Sequence, residues 1–193
     1  MANVIIPLTY YQQDDVVALA KDLLGKVVCS NIDGVITKGI IRETEAYNGV
    51  VDKACHAYQG KRTKRTETMF HQGGVAYVYL CYGIHHLFNI VTGKEGTPTA
   101  ILIRAIEPIE GIPTILDRRN KKDVKKIASG PGTLSQALGI LTQHSGTPLN
   151  SQLIWLEDHS IEVPEAEIEI GPRIGIDYAE EDVLLPYRFI WNR

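Results

Sequence analysis

Two carboxylates and one guanidinium are the side chains of this sequence whose types and spacing point most directly to chemistry. The run Ile41-Arg-Glu-Thr-Glu-Ala-Tyr47 reads as a strand. Alternation puts Glu43, Glu45 and Tyr47 on one face with Ile41 before them, and Ile40, Thr44, Ala46 and Arg42 on the other. Core packing explains two carboxylates beside an aromatic poorly, although one of them facing solvent is the ordinary alternative. Arg104 interrupts the apolar run Ala100-Ile-Leu-Ile103 and Ala105-Ile106. A guanidinium there needs a carboxylate, and Glu43 or Glu45 is the expected partner. The group has two readings: acid–base chemistry, or an ion pair that only fixes sheet register. Glycosidase-type chemistry fits less well. Carboxylates two residues apart on a strand stand about 6.6 Å apart, near the lower edge of the inverting range, yet they lie on one side of a substrate instead of flanking it.

Residues 74–92, Gly-Val-Ala-Tyr-Val-Tyr-Leu-Cys-Tyr-Gly-Ile-His-His-Leu-Phe-Asn-Ile-Val-Thr, read as two strands around a tight turn at Tyr82-Gly83-Ile84-His85. Tyr77 and Tyr79 share a face, and Tyr82 sits at the bend. An aromatic on a hairpin tip can wedge between stacked bases; a half-buried hairpin with core aromatics is the plainer alternative. His56, His71, His85 and His86 show no metal spacing, so no metal is expected. There is no Gly-x-Ser-x-Gly elbow, Walker loop or dinucleotide fingerprint, and no cofactor is expected. The turn Gly130-Pro-Gly-Thr133 opens a helix, where it could hold a phosphate on its amides or serve as a plain cap.

These residues must be positioned by a mixed α/β scaffold. The spacing predicts a helix over 14–24, strands over 26–31 and 34–47 joined by Asp33-Gly34, and a polar loop over 48–69. After the hairpin come a central strand over 99–106, helices over 110–119 and 133–138, and short strands between Pro and Gly turns from 153 to 193. At 193 residues and 44% hydrophobic content, one domain over 1–193 is expected. Its class is α+β, with a curved, mostly antiparallel sheet, surrounding helices and a protruding hairpin. No apolar run reaches a membrane span, and the start Met-Ala-Asn-Val-Ile-Ile-Pro lacks the basic region of a signal peptide. Cys29, Cys55 and Cys81 read as reduced thiols of a cytoplasmic compartment. The net charge of −3 argues weakly against a nucleic-acid partner, but it hides basic clusters at 61–65 and 118–126 and an acidic stretch from Glu157 to Asp182. Local field decides where a polyanion lands; solvated surface is the alternative for each run.

Several separated motifs then fall into a known order. Arg42-Glu-Thr-Glu-Ala-Tyr-Asn-Gly49, His56-Ala-Tyr-Gln-Gly60, Met69-Phe70, Ala76-Tyr-Val-Tyr-Leu-Cys-Tyr-Gly-Ile-His85 with Asn89, Leu102-Ile-Arg-Ala-Ile-Glu-Pro108 and Gly130-Pro-Gly-Thr-Leu-Ser-Gln-Ala-Leu-Gly139 together resemble the alkyladenine (3-methyladenine) DNA glycosylase family. The resemblance runs from about Leu19 to Phe189. It implies a monofunctional base-excision-repair enzyme, bacterial and nucleoid-associated, that acts as a monomer on double-stranded DNA containing damaged purines. Such an enzyme approaches from the minor groove, flips 3-methyladenine, hypoxanthine or ethenoadenine out, hydrolyses the N-glycosidic bond and leaves an abasic site. By position, Glu45 resembles the base that activates water and Arg104 its water-positioning partner. Tyr47, His56 and Tyr79 resemble the pocket that sandwiches the base, and Asn89 its floor. Tyr82 resembles the intercalating residue. Lys61, Arg62, Thr63, Lys64 and Arg65 are candidate contacts to the DNA backbone. Thr66-Glu67-Thr68 and His71-Gln72-Gly73 depart from the family's usual loop. Two other classes stay open: a non-catalytic nucleic-acid-binding module, and a carboxylate-based nucleoside or sugar hydrolase.

Overall fold

The computed structural model describes residues 4–192; Met1, Ala2 and Asn3, part of the N-terminal reading, and Arg193 lie outside the described residues. Runs rich in β-branched residues form the scaffold: β1 (Val4–Ile5), β2 (Val27–Ile32), β3 (Val35–Tyr47), β4 (Ala76–Cys81), β5 (His85–Thr92), β6 (Thr99–Glu110), β7 (Ile154–Asp158), β8 (Ile168–Gly171) and β9 (Arg188–Trp191). All pair antiparallel in one sheet ordered β1-β7-β2-β3-β6-β5-β4, with β9 on β3 and β8 on β9. β3 is long because it serves two neighbours along one edge. Residues 35–40 pair with β2, and residues 43–45 pair with β9, which continues the row where β2 stops. β6 runs along the other edge and holds the centre expected of its apolar sequence.

Of three register shifts between β3 and β6, two adjust the face that carries the carboxylates. Ile41 opposes Ile106, Glu43 opposes Ala105, and Thr44 opposes Ile103, so Arg42 and Arg104 are the extra residues of their strands. Each bulge shifts the in–out alternation by one. Ile41 therefore packs in the main core together with Ala46 and Ile103, and does not precede the carboxylates on their face as strict alternation predicts. The same shift lets Arg104 point at the carboxylates although Ile103 and Ile106 both face the core.

Three α-helices pack on this sheet: α1 (Val16–Asp22), α2 (Ile112–Arg119) and α3 (Pro131–Leu138). α1 is shorter than predicted because Asp15 is its cap, Oδ1 accepting from the N–H groups of Val17 and Ala18 at 3.0 and 2.9 Å. α2 starts after Glu110 because β6 continues through that residue. Gly111 then turns the chain at φ +72°, where a Cβ would lie 2.4 Å from the Ile36 carbonyl oxygen, so glycine alone fits. α3 rests on β5 and β6, with α2 against it. The main core includes Leu19, Phe88, Ile101, Leu134 and Trp155, and each such side chain fully buried contributes about 1.5–3 kcal/mol. A smaller cluster of Met69, Phe70, Tyr77 and Val91 underlies the 48–69 loop. That loop carries three short 3-10 turns, at Gly49–Val51, Tyr58–Gly60 and Glu67–Phe70. Among the described residues no helix is long and apolar enough to cross a membrane.

Candidate active site

Glu45 is fully buried, and every donor around it has a structural reason to be there. Tyr47, two residues on along the same face of β3, donates its hydroxyl to Oε2 at 2.9 Å. The Ile174 N–H donates to Oε1 at 2.8 Å, and Arg104 Nη1 stands 3.3 Å from Oε1. Arg104 Nε also donates to Glu43 Oε1 at 2.9 Å, and Arg188 Nη1 reaches the same oxygen at 3.1 Å. Both carboxylates are thus partners of Arg104. Burial raises the proton affinity of Glu45, while Arg104, the Ile174 amide and the Tyr47 hydroxyl pull it down; burial outweighs them. The pull of Arg104 towards a lower pKa is therefore not the dominant influence, and the outcome is a carboxylate more basic than an ordinary glutamate.

In front of this group opens a cavity of about 660 Å³. Tyr47, Arg104 and Ile174 line it, and the Glu45 carboxylate stands directly behind these three. The far wall is aromatic. Tyr77 and Tyr79, on one face of β4 as alternation requires, lie 5.5 Å apart between ring centroids, and the His56 ring meets Tyr79 edge-on at 4.7 Å. Burial first, then the charges of Arg65 and Lys61, depress His56 to about 4, so its imidazole is neutral at physiological pH. Asn89 also lines the cavity. Its amide nitrogen donates to the carbonyl oxygens of Tyr77 and Leu87, both at 3.1 Å, which locks the side chain and uses both of its N–H donors.

Behind Tyr47 lies a feature with no local signal in the sequence. Arg173 and Asp52 form an ion pair with both side chains fully buried, bidentate at 2.5 and 2.8 Å. Asp52 also accepts from the N–H groups of Asn48 and Ala54, and Arg173 donates to the Ala46 carbonyl oxygen at 2.9 Å. The Arg173 guanidinium stacks 4.9 Å from the Tyr47 ring. One pair therefore fixes the loop after β3, the back of Tyr47 and the segment whose Ile174 amide holds Glu45.

The hairpin projects Tyr82 from its tip, 89% exposed and at φ +51°, followed by Gly83 at +74°. A tyrosine in the left-handed region costs about 1–2 kcal/mol, so a bulky aromatic is held outward at the cavity rim against its backbone preference. The basic runs divide. Lys61 and Lys64 are exposed, and Thr63 bonds to Thr66. Arg62 pairs with Glu67 at 2.6 Å and covers the Phe70 ring, while Arg65 turns into the cavity. In the second run Arg118 donates to the carbonyl oxygens of Ala137 and Ile32, and Arg119 to that of Ile127. These two arginines are committed to backbone carbonyl oxygens of the fold; Lys121, Lys122, Lys125 and Lys126 remain exposed. Much of the acidic C-terminal stretch is likewise paired, Glu180 and Glu181 with Lys53 and Glu165 with Lys21.

The family model described as methylpurine-DNA glycosylase matches residues 9–193. A relative from Chlamydia felis is 46% identical over 189 residues, covering 97% of this chain and 96% of its own. One from Bacillus thuringiensis is 47% identical over 199 residues, covering 96% and 95%. Both bear the name "Putative 3-methyladenine DNA glycosylase".

Proposed function

The chain belongs to the methylpurine-DNA glycosylase family, a monofunctional DNA-repair enzyme whose substrate is DNA with damaged bases, and from that premise we propose how it acts. It excises alkylated or deaminated purines, of the 3-methyladenine, hypoxanthine and ethenoadenine class, as one domain over residues 1–193. The purine leaves the stack and enters the cavity between Tyr47 on one side and Tyr79 with His56 on the other, with Asn89 beneath it. Tyr82 fills the vacated place from the minor groove, offsetting part of the few kcal/mol that extrusion costs. Glu45 takes a proton from water held by Arg104, the water oxygen bonds C1′, and the C1′–N9 electron pair leaves with the base. The observation that carries this reading is the buried Glu45, its proton affinity raised by burial, beside Arg104 and one layer behind an aromatic cavity. A carboxylate has about four acceptor sites, so water reaches Oε2 once the Tyr47 hydroxyl turns aside; such resting contacts commonly rearrange on substrate binding. We take the enzyme to act as a monomer in the cytoplasm near the nucleoid; the three free cysteines fit a reducing setting.

The test uses duplex oligonucleotides carrying hypoxanthine, ethenoadenine or 3-methyladenine. We expect free base to appear and the strand to break only after alkali. A protein that binds these duplexes without releasing base is a binding module. One that acts on free nucleosides or glycosides and not on DNA is a hydrolase of the other class.

A further inference from the structure

Arg65 enters the cavity from a loop whose charged neighbours face solvent. The residue as a whole is exposed, yet its guanidinium carbon lies 4.7 Å from the Tyr79 ring centroid and its Nη2 stands 3.3 Å from His56 Nε2. Guanidinium only donates, so Nε2 of the neutral imidazole accepts and its proton sits on Nδ1, turned to the Tyr77 hydroxyl 3.0 Å away. The two stacking tyrosines therefore each carry an arginine, with opposite consequences. The Arg173 charge on Tyr47 is cancelled by buried Asp52. Arg65 has no carboxylate within ion-pair distance among the described residues; its partners are a neutral ring, the Tyr77 hydroxyl and an aromatic face.

Resting on the excision reading above, we propose that Arg65 is a specificity-determining residue that favours purines entering neutral, such as hypoxanthine, over purines entering with a permanent positive charge, such as 7-methylguanine. When a neutral purine leaves, the C1′–N9 electron pair puts negative charge on the base, which a guanidinium donor at the wall stabilises. When a methylated, cationic purine leaves, the same pair cancels a charge that had sat beside Arg65 as a like charge. For unit charges about 5 Å apart at the edge of a protein the discrimination is on the order of tenfold, about 1.4 kcal/mol.

Single-turnover excision from duplexes holding one hypoxanthine or one 7-methylguanine tests this, with wild type, Arg65→Gln and Arg65→Lys. Arg65→Gln should raise the 7-methylguanine rate relative to hypoxanthine about tenfold, and Arg65→Lys, which keeps the charge, should stay close to the wild-type ratio. An unchanged ratio in Arg65→Gln overturns the proposal. So does an equal loss on both duplexes with a salt slope shallower by about one, the signature of a phosphate contact. Wild-type protein that releases neither base refutes the excision reading itself, before any variant is compared.

Discussion

Replacing Glu45 by Gln removes the proposed base and disturbs little else. The amide oxygen can still accept from the Ile174 N–H and stay near Arg104, while the amide N–H groups meet the Tyr47 oxygen, whose hydroxyl rotates to let it accept. Arg104 keeps Glu43 at 2.9 Å. The fold and the cavity wall should therefore survive, and lesion binding with them. Excision should fall by about 10²–10⁴-fold, the usual contribution of one general base, or about 2.7–5.5 kcal/mol in the barrier. Stability should move the other way with pH. Burial raises the Glu45 pKa above its ordinary 4.5. Below that value both folded and unfolded chains hold the proton; above it the unfolded chain releases its proton first, and wild type loses stability until the buried carboxyl ionises too. The Gln variant has no such proton, so the stability difference should shift in its favour as pH rises through that window. Single-turnover excision on a hypoxanthine duplex and urea unfolding at several pH values measure both effects. A rate near wild type would sink the role of Glu45, and a stability difference independent of pH would show that burial does not raise its pKa.

Tyr82→Ala keeps the left-handed backbone position, since alanine carries a Cβ as tyrosine does, but loses the wedge. Excision of hypoxanthine paired with thymine should fall more than excision from a mismatch or single strand, and an equal loss in each would mark Tyr82 as an ordinary surface aromatic. Lysine-to-glutamine changes at 121, 122, 125 and 126 should flatten the slope of log DNA affinity against log salt by roughly 0.9 for each phosphate no longer neutralised; an unaltered slope would show these lysines to be solvated surface. Asp52→Asn strips a buried arginine of its charge partner and should cost about 3–5 kcal/mol in unfolding free energy. A loss below about 1 kcal/mol would show that Arg173 finds compensation elsewhere.

The sequence made the strands legible where alternation is regular, and the pairing of Arg104 with a glutamate followed from a charge inside an apolar run. What it hid has identifiable causes. Bulges at Arg42 and Arg104 shift parity by one, and no residue type announces them, so Ile41 falls on the core side. Arg173 and Asp52 are 121 residues apart and neither stands in a telling local pattern. The second basic run looked like a single surface, but Arg118 and Arg119 are drawn inward by carbonyl groups at the end of α3 and in the adjoining loop, which need donors. Arg65 reads as one more loop cation, and only the position of His56 and Tyr79 beside it turns its head into the cavity.

The site assignment is tested most directly by a crystal structure of the Glu45→Gln variant bound to a duplex containing one ethenoadenine. It should show the purine outside the helix between Tyr47 and Tyr79, Tyr82 in the gap it leaves, and a water between the substituted side chain, Arg104 and C1′. An ethenoadenine still stacked in the duplex, or held at a surface away from Tyr47 and Arg104, would contradict the account.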